Sequence, residues 1–113
     1  MIYVKVNEKL YPATVNGKII DREWDDRESK AITIEGTFEQ VNAMFRDGVQ
    51  WSIVDIDIVD DENGNETTAQ NEYDNSDFSI RGDLTVHTDG TCTVKMGKPT
   101  DLEEAYEMIY GGI

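Results

Sequence analysis

The feature that most constrains this chain is a period-two alternation of apolar and polar residues, punctuated by Asn-Gly and Asp-Gly pairs. Ile2, Val4 and Val6 fall on one face with Tyr3 and Lys5 on the other, which predicts a strand over residues 2–6. Tyr11, Ala13 and Val15 repeat the pattern after a turn at Asn7-Glu8-Lys9. Pro12 has no N–H for a ladder, so this strand either lies at an edge or leaves that position unpaired. Asn16-Gly17 is a type I′ hairpin signal, because both residues tolerate positive φ, and it predicts a third strand at Lys18-Ile19-Ile20. Ala31 to Glu35 reads as a fourth strand and Trp51 to Val59 as a fifth.

Asn63-Gly64 and Asp89-Gly90 are two further hairpin signals. The first closes the fifth strand onto residues 66–73, which have little to bury and read either as a paired, exposed arm or as a disordered loop. The second joins Phe78, Ile80, Leu84 and Val86, with Gly82 on the same face, to Cys92, Val94 and Met96. Gly82 leaves a gap there, where a neighbour approaches or the strand bends.

Helical periodicity occurs twice. Thr37 with Gln40 and Thr100 with Glu103 are capping boxes, each followed by an apolar stripe at helical spacing. They predict short helices at about 37–46 (Phe38, Val41, Met44, Phe45) and about 100–110 (Leu102, Ala105, Tyr106, Ile109). Runs of hairpins with few helices predict an α+β fold: an antiparallel sheet or partly open barrel with the two helices packed against it. At 113 residues without a repeat or a long linker, one domain over 1–113 is expected.

Charge narrows the partners. Ten Lys and Arg against 24 Asp and Glu give a formal net charge of −14. Such a chain repels phosphate backbones and anionic lipid, so direct nucleic-acid and membrane binding are disfavoured. Between Arg46 and Arg81 stand ten Asp or Glu (47, 55, 57, 60, 61, 62, 66, 72, 74 and 77) and no Lys or Arg. That segment is either a solvated excursion or the face turned toward something positive. The N-terminus has no basic, apolar and small-residue succession of a signal peptide, and a lone cysteine points to a reducing compartment. A cytoplasmic protein is expected.

Catalytic readings find little support. His87 lies on a polar face just before a turn, and Asp83, four residues back, is about 13 Å away along an extended strand. Cys92 alternates with Val94 and Met96 as a small core residue, on the face opposite His87. A zinc site lacks ligands, with one Cys and one His in total. An EF-hand loop with Gly64 at its sixth position would begin at Val59 and end at Gln70, where acids are required. No cofactor is expected. The candidate partner-binding segment is Trp24, Asp25 and Arg27, an aromatic amid charge; the alternative is Trp24 folded over the end of the sheet.

Three stretches carry a family likeness: Tyr11-Pro12-Ala13-Thr14-Val15-Asn16-Gly17, the segment from Trp24 to Ile34 that ends Glu28-Ser29-Lys30-Ala31-Ile32-Thr33-Ile34, and Met96-Gly97-Lys98 through Tyr110-Gly111-Gly112. Together they resemble small hypothetical proteins of late, tail-region gene clusters in phages and prophages of Gram-positive gut bacteria. The resemblance implies a non-enzymatic structural, assembly or accessory protein, residing in the bacterial cytoplasm or on the virion. It also implies protein partners, among them virion or tail components or further copies of itself. Two other functions stand beside it: an acidic inhibitor that imitates a nucleic acid, and an unrecognised carboxylate enzyme.

Overall fold

A computed structural model describes residues 1–104. Seven strands form one antiparallel sheet that does not close: β1 (Ile2–Val6), β2 (Lys9–Asp21), β3 (Arg27–Glu35), β4 (Trp51–Asp60), β5 (Glu66–Asp74), β6 (Ile80–Val86) and β7 (Thr91–Gly97), in the spatial order β5-β4-β1-β2-β3-β7-β6. One helix, α1 (Phe38–Met44), lies between β3 and β4 in sequence. A second helical segment covers 101–104. The predicted apolar stripe at Ala105, Tyr106 and Ile109 lies outside the described residues. The architecture is thus mostly antiparallel sheet with two short helices.

Alternation sets the core. Val4 and Val6 of β1, Ile32 and Ile34 of β3, and Cys92, Val94 and Met96 of β7 are buried on the inner face. Val41 of α1 and Phe45, its C-cap, cover that face, each burial contributing about 1.5–3 kcal/mol. Phe45 meets Trp51 edge-on, with ring centroids 5.7 Å apart, and the Trp51 Nε1–H donates to the Phe78 carbonyl at 3.1 Å. Seven residues are too few for a helix to persist alone, so this packing holds α1 in place. Its predicted capping box is present: Thr37 Oγ1 accepts from the Gln40 N–H at 3.2 Å, and Gln40 Oε1 from the Thr37 N–H at 3.0 Å.

Two strand assignments change. Asn16-Gly17 makes no hairpin; β2 runs straight through it, with Gly17 paired to Lys30. The chain reverses instead at Asp25 and Asp26, both in the left-handed region, so residues 9–21 and 27–35 are two strands rather than three. Pro12 does not lie at an edge, and toward β1 it is paired, opposite Tyr3; only its side toward β3 is unpaired. β2 is an interior strand, and its ladder with β3 begins one residue later, at Ala13.

The second change is a bulge in β6. Arg81 pairs with Met96 and Leu84 with Val94, so three steps on β6 match two on β7. The extra residue turns Ile80 and Gly82 off the face shared by Leu84 and Val86. Phe78, Cys92, Val94 and Met96 are buried as predicted, Ile80 and Leu84 are half-buried, and Val86 is 58% exposed.

Asn63-Gly64 and Asp89-Gly90 do close hairpins, each with its glycine at positive φ. Residues 66–74 form a paired, exposed strand.

Candidate functional site

Two regions gather the residues that sequence singled out. The first is the outer face of β3, β6 and β7 beneath the 22–26 turn. Trp24 lies flat across Gly82 and Gly97; a Cβ on either glycine would stand 2.7 or 2.9 Å from its ring. The gap at Gly82 is therefore occupied by a neighbour from within the chain. The Arg27 guanidinium stacks 4.7 Å from the Trp24 ring centroid. Arg27 itself is buried: Nη1 donates to Glu103 Oε1 at 2.8 Å and to the Lys98 carbonyl at 3.0 Å, and Nη2 donates to Glu103 Oε2 at 3.2 Å. Its Nε is buried without a partner among the described residues. Beside it, Asp21 accepts from Lys95 Nζ at 2.9 Å and from Ser29 Oγ at 3.1 Å, and the Lys95 bond foremost lowers its pKa.

This cluster has the chemistry of a clamp. The arginine hydrogen bonds also lower the Glu103 pKa from 4.5 to about 2, helped by the Thr100 N–H of the second capping box. Of the three predicted partner-binding residues, Arg27 is buried, Trp24 is half-buried and Asp25 is exposed. The structure brings them together, with Arg27 and Trp24 directed inward.

The second region is the β4–β5 hairpin. Next to β1 stands Met1, whose carbonyl and ammonium bond the Ile56 N–H and carbonyl at 3.0 and 2.9 Å. Past that point β4 and β5 continue as a two-stranded arm. Four residues on each side, 57–60 and 66–69, reach about 14 Å beyond the N-terminus before the turn. In that turn Asp61 Oδ1 accepts from the N–H groups of Asn63 and Asn65 at 2.8 and 2.9 Å, which lowers its pKa. The arm exposes Ile58 (72%) and Val59 (42%), with Tyr73 exposed near its base.

Acids are distributed over both faces of the arm. Asp55 and Asp57 sit on one, each 3.5 Å from the Met1 ammonium. Asp60 and Glu66 sit directly opposite each other on the other, and neither has an ion-pair partner among the described residues. Glu72 further down is held by Lys5 at 3.2 Å. Sequence reasoning found the acids but missed the exposure of Ile58 and Val59, because a Val-Ile strand normally reads as buried.

His87 and Cys92 are placed as expected from alternation. His87 is exposed, with Nε2 2.7 Å from Thr93 Oγ1. Cys92 is buried, with its thiol 3.5 Å from the Gly36 carbonyl. Among the described residues no three His, Cys, Asp or Glu side chains are grouped to hold a metal ion, and no helix is long and apolar enough to cross a membrane.

Comparison with protein families, with curated proteins and with solved structures finds no match to this chain.

Proposed function

We propose that this chain is a non-enzymatic assembly or accessory protein of the phage structural kind, acting through protein–protein contacts made by the β4–β5 arm. The observation that carries this reading is the projecting hairpin, which holds Ile58 and Val59 in water on a strand pair that buries almost nothing of its own. An isolated two-stranded hairpin is marginal in water, so exposed apolar residues on one mark an element completed by contact with something else. The clamp at Trp24 and Arg27 ties β3, β7 and β6 together on the side of the sheet away from the arm. The family likeness of the three sequence stretches supplies the phage setting.

Particles released by the bacterium that encodes the chain should contain it. Ile58→Asp combined with Val59→Asp should leave the fold intact and remove the protein from them. Particles that lack the wild-type chain would overturn the reading.

The acidic mimic remains the alternative, supported by the net charge of −14. Binding of that kind to a basic host protein would collapse as salt rises to about 0.5 M, whereas an apolar arm contact would persist.

A further inference from the structure

The sheet has two outer edges, and they are built differently. β6 is bulged between Arg81 and Leu84, and its Arg81 side chain ties back to Asn42 and to the Phe45 carbonyl at 2.8 and 3.1 Å. Bulges and charged side chains are common ways of blunting an edge against unwanted pairing. β5 has neither through its middle. It pairs with β4 over nine consecutive positions without a register shift, and its central run Thr67-Thr68-Ala69-Gln70-Asn71 contains no charge, proline or glycine.

The phase of the ladder fixes which backbone groups face outward. The Asp61 N–H donates to the Asn65 carbonyl at 2.8 Å, and Ile56 bonds Met1 on the opposite side of β4. By alternation Thr67, Ala69, Asn71 and Tyr73 bond β4. Thr68, Gln70 and Glu72 therefore turn their N–H and C=O groups away from it, toward a side where no described residue pairs with them. Their side chains share one face with Glu66 and Asp74, so carboxylates flank the outward-facing groups at both ends.

We propose that the outer edge of β5 is a strand-addition site, and that its occupant is an extended, positively charged segment of another protein. The proposal rests on the protein–protein reading above and names the kind of partner. Strand addition supplies affinity through main-chain bonds and specificity through alternate side chains. A second copy is a poor occupant. Laying β5 antiparallel on itself about Gln70 sets Glu66 against Asp74 and Thr68 against Glu72, between two chains that each carry −14. A segment with Lys or Arg at alternate positions meets those acids with opposite charge. It also brings a cation to Glu66, which now faces Asp60 across a non-hydrogen-bonded pair, where side chains approach most closely.

The test uses the purified chain and two capped peptides of about eight residues, one alternating Lys with Val and Thr, the other with Glu in place of Lys. The Lys peptide should bind, and hydrogen exchange at Thr68, Gln70 and Glu72 should slow while exchange along β6 stays unchanged. Gln70→Pro removes an outward N–H but no bond to β4, and should weaken binding roughly tenfold or more. Gln70→Lys places a repelling charge at the same point and should weaken binding even if proline loosens the arm.

Equal binding of the Glu peptide, protection located away from β5, or binding unchanged by both Gln70 variants would each overturn the proposal. Dimerisation that Gln70→Pro abolishes would also overturn it, since the occupant would then be a second copy. The peptide result and the particle result fail separately: a chain present in particles but blind to the peptide loses only this inference. A chain that binds the peptide but is absent from particles loses only the phage reading.

Discussion

Arg27 and Glu103 are joined by two hydrogen bonds of 2.8 and 3.2 Å across 76 residues of sequence, from the first residue of β3 to the second helical segment. Arg27 is buried while Glu103 is about half-exposed, so the bond fastens 101–104 to the sheet from one side only. Its strength depends on Glu103 being ionised. The folded-state pKa is lowered from 4.5 to about 2, so the stabilisation is complete above about pH 4.5 and disappears as pH falls toward 2. Glu103→Gln should therefore melt below wild type at pH 6, and the two melting temperatures should converge by about pH 2. A gap that stays constant over that range would show that the carboxylate charge is not what holds the segment.

Trp24 and the two glycines beneath it form a second testable unit. Gly97→Ala would set a Cβ 2.6 Å from Arg27 Cδ and 2.9 Å from the Trp24 ring, and overpacking of this kind costs about 1–3 kcal/mol. Trp24→Ala removes the neighbour and should cost about 2 kcal/mol by itself, less than a fully buried tryptophan because the ring is half-buried. Combined, the two should cost less than the sum, since alanine at 97 then has part of the vacated space. Urea unfolding of the four proteins measures the coupling. Strict additivity would mean that Trp24 does not rest on Gly97.

Much of the fold was legible because alternation and capping are local. Thr37 with Gln40, Asn63-Gly64 and Asp89-Gly90 all form the structures their chemistry favours, since each bond they need lies within four residues. Asn16-Gly17 misled for a physical reason: tolerance of positive φ permits a turn without requiring one. Pairing of Gly17 with Lys30 favours extended backbone there, and the turn forms at Asp25-Asp26 instead.

The clamp was less legible. Arg27 belongs to a stretch that is almost wholly charged, and nothing local says that this guanidinium turns inward while Arg22 stays exposed. Its partners Lys98 and Glu103 are over 70 residues away. The open edge of β5 was hidden for a related reason. Only the strand order places residues 66–74 at the outside of the sheet, and strand order is not written in any one segment.

The last residues of β6 give a prediction on which sequence and structure disagree. Unbroken alternation from Phe78 to Val86 would bury Ile80, Leu84 and Val86 alike. Past the bulge, Leu84 packs against the core, while Val86, on the same face but at the end of β6, is mostly exposed. Leu84→Ala should cost about 2 kcal/mol and Val86→Ala under about 0.5 kcal/mol, by urea titration. Similar losses at the two positions would show Val86 to be as buried as Leu84, against its exposure at the end of β6.

The acids of the arm divide into two rows, and the rows separate the leading function from its alternative. Asp55 and Asp57 lie on one face, Glu66 and Glu72 on the other, along the edge assigned to strand addition. Alternate residues on a strand stand about 6.6–6.8 Å apart, close to the phosphate spacing along a nucleic-acid strand. Asp55 with Asp57 is thus the row a mimic would use. Those two already sit 3.5 Å from the Met1 ammonium, which offsets part of their charge. Glu66 has no such neighbour among the described residues. Glu72 is likewise held by Lys5 at 3.2 Å, so Glu66→Gln alone should weaken binding of the Lys peptide several-fold and flatten its salt dependence, while Asp55→Asn with Asp57→Asn should change it less than about twofold. The opposite ranking would place the positive partner on the inner row. That would favour the mimic, because the inner row lies away from the outward-facing backbone groups of Thr68, Gln70 and Glu72 and could attract a basic protein only through charge.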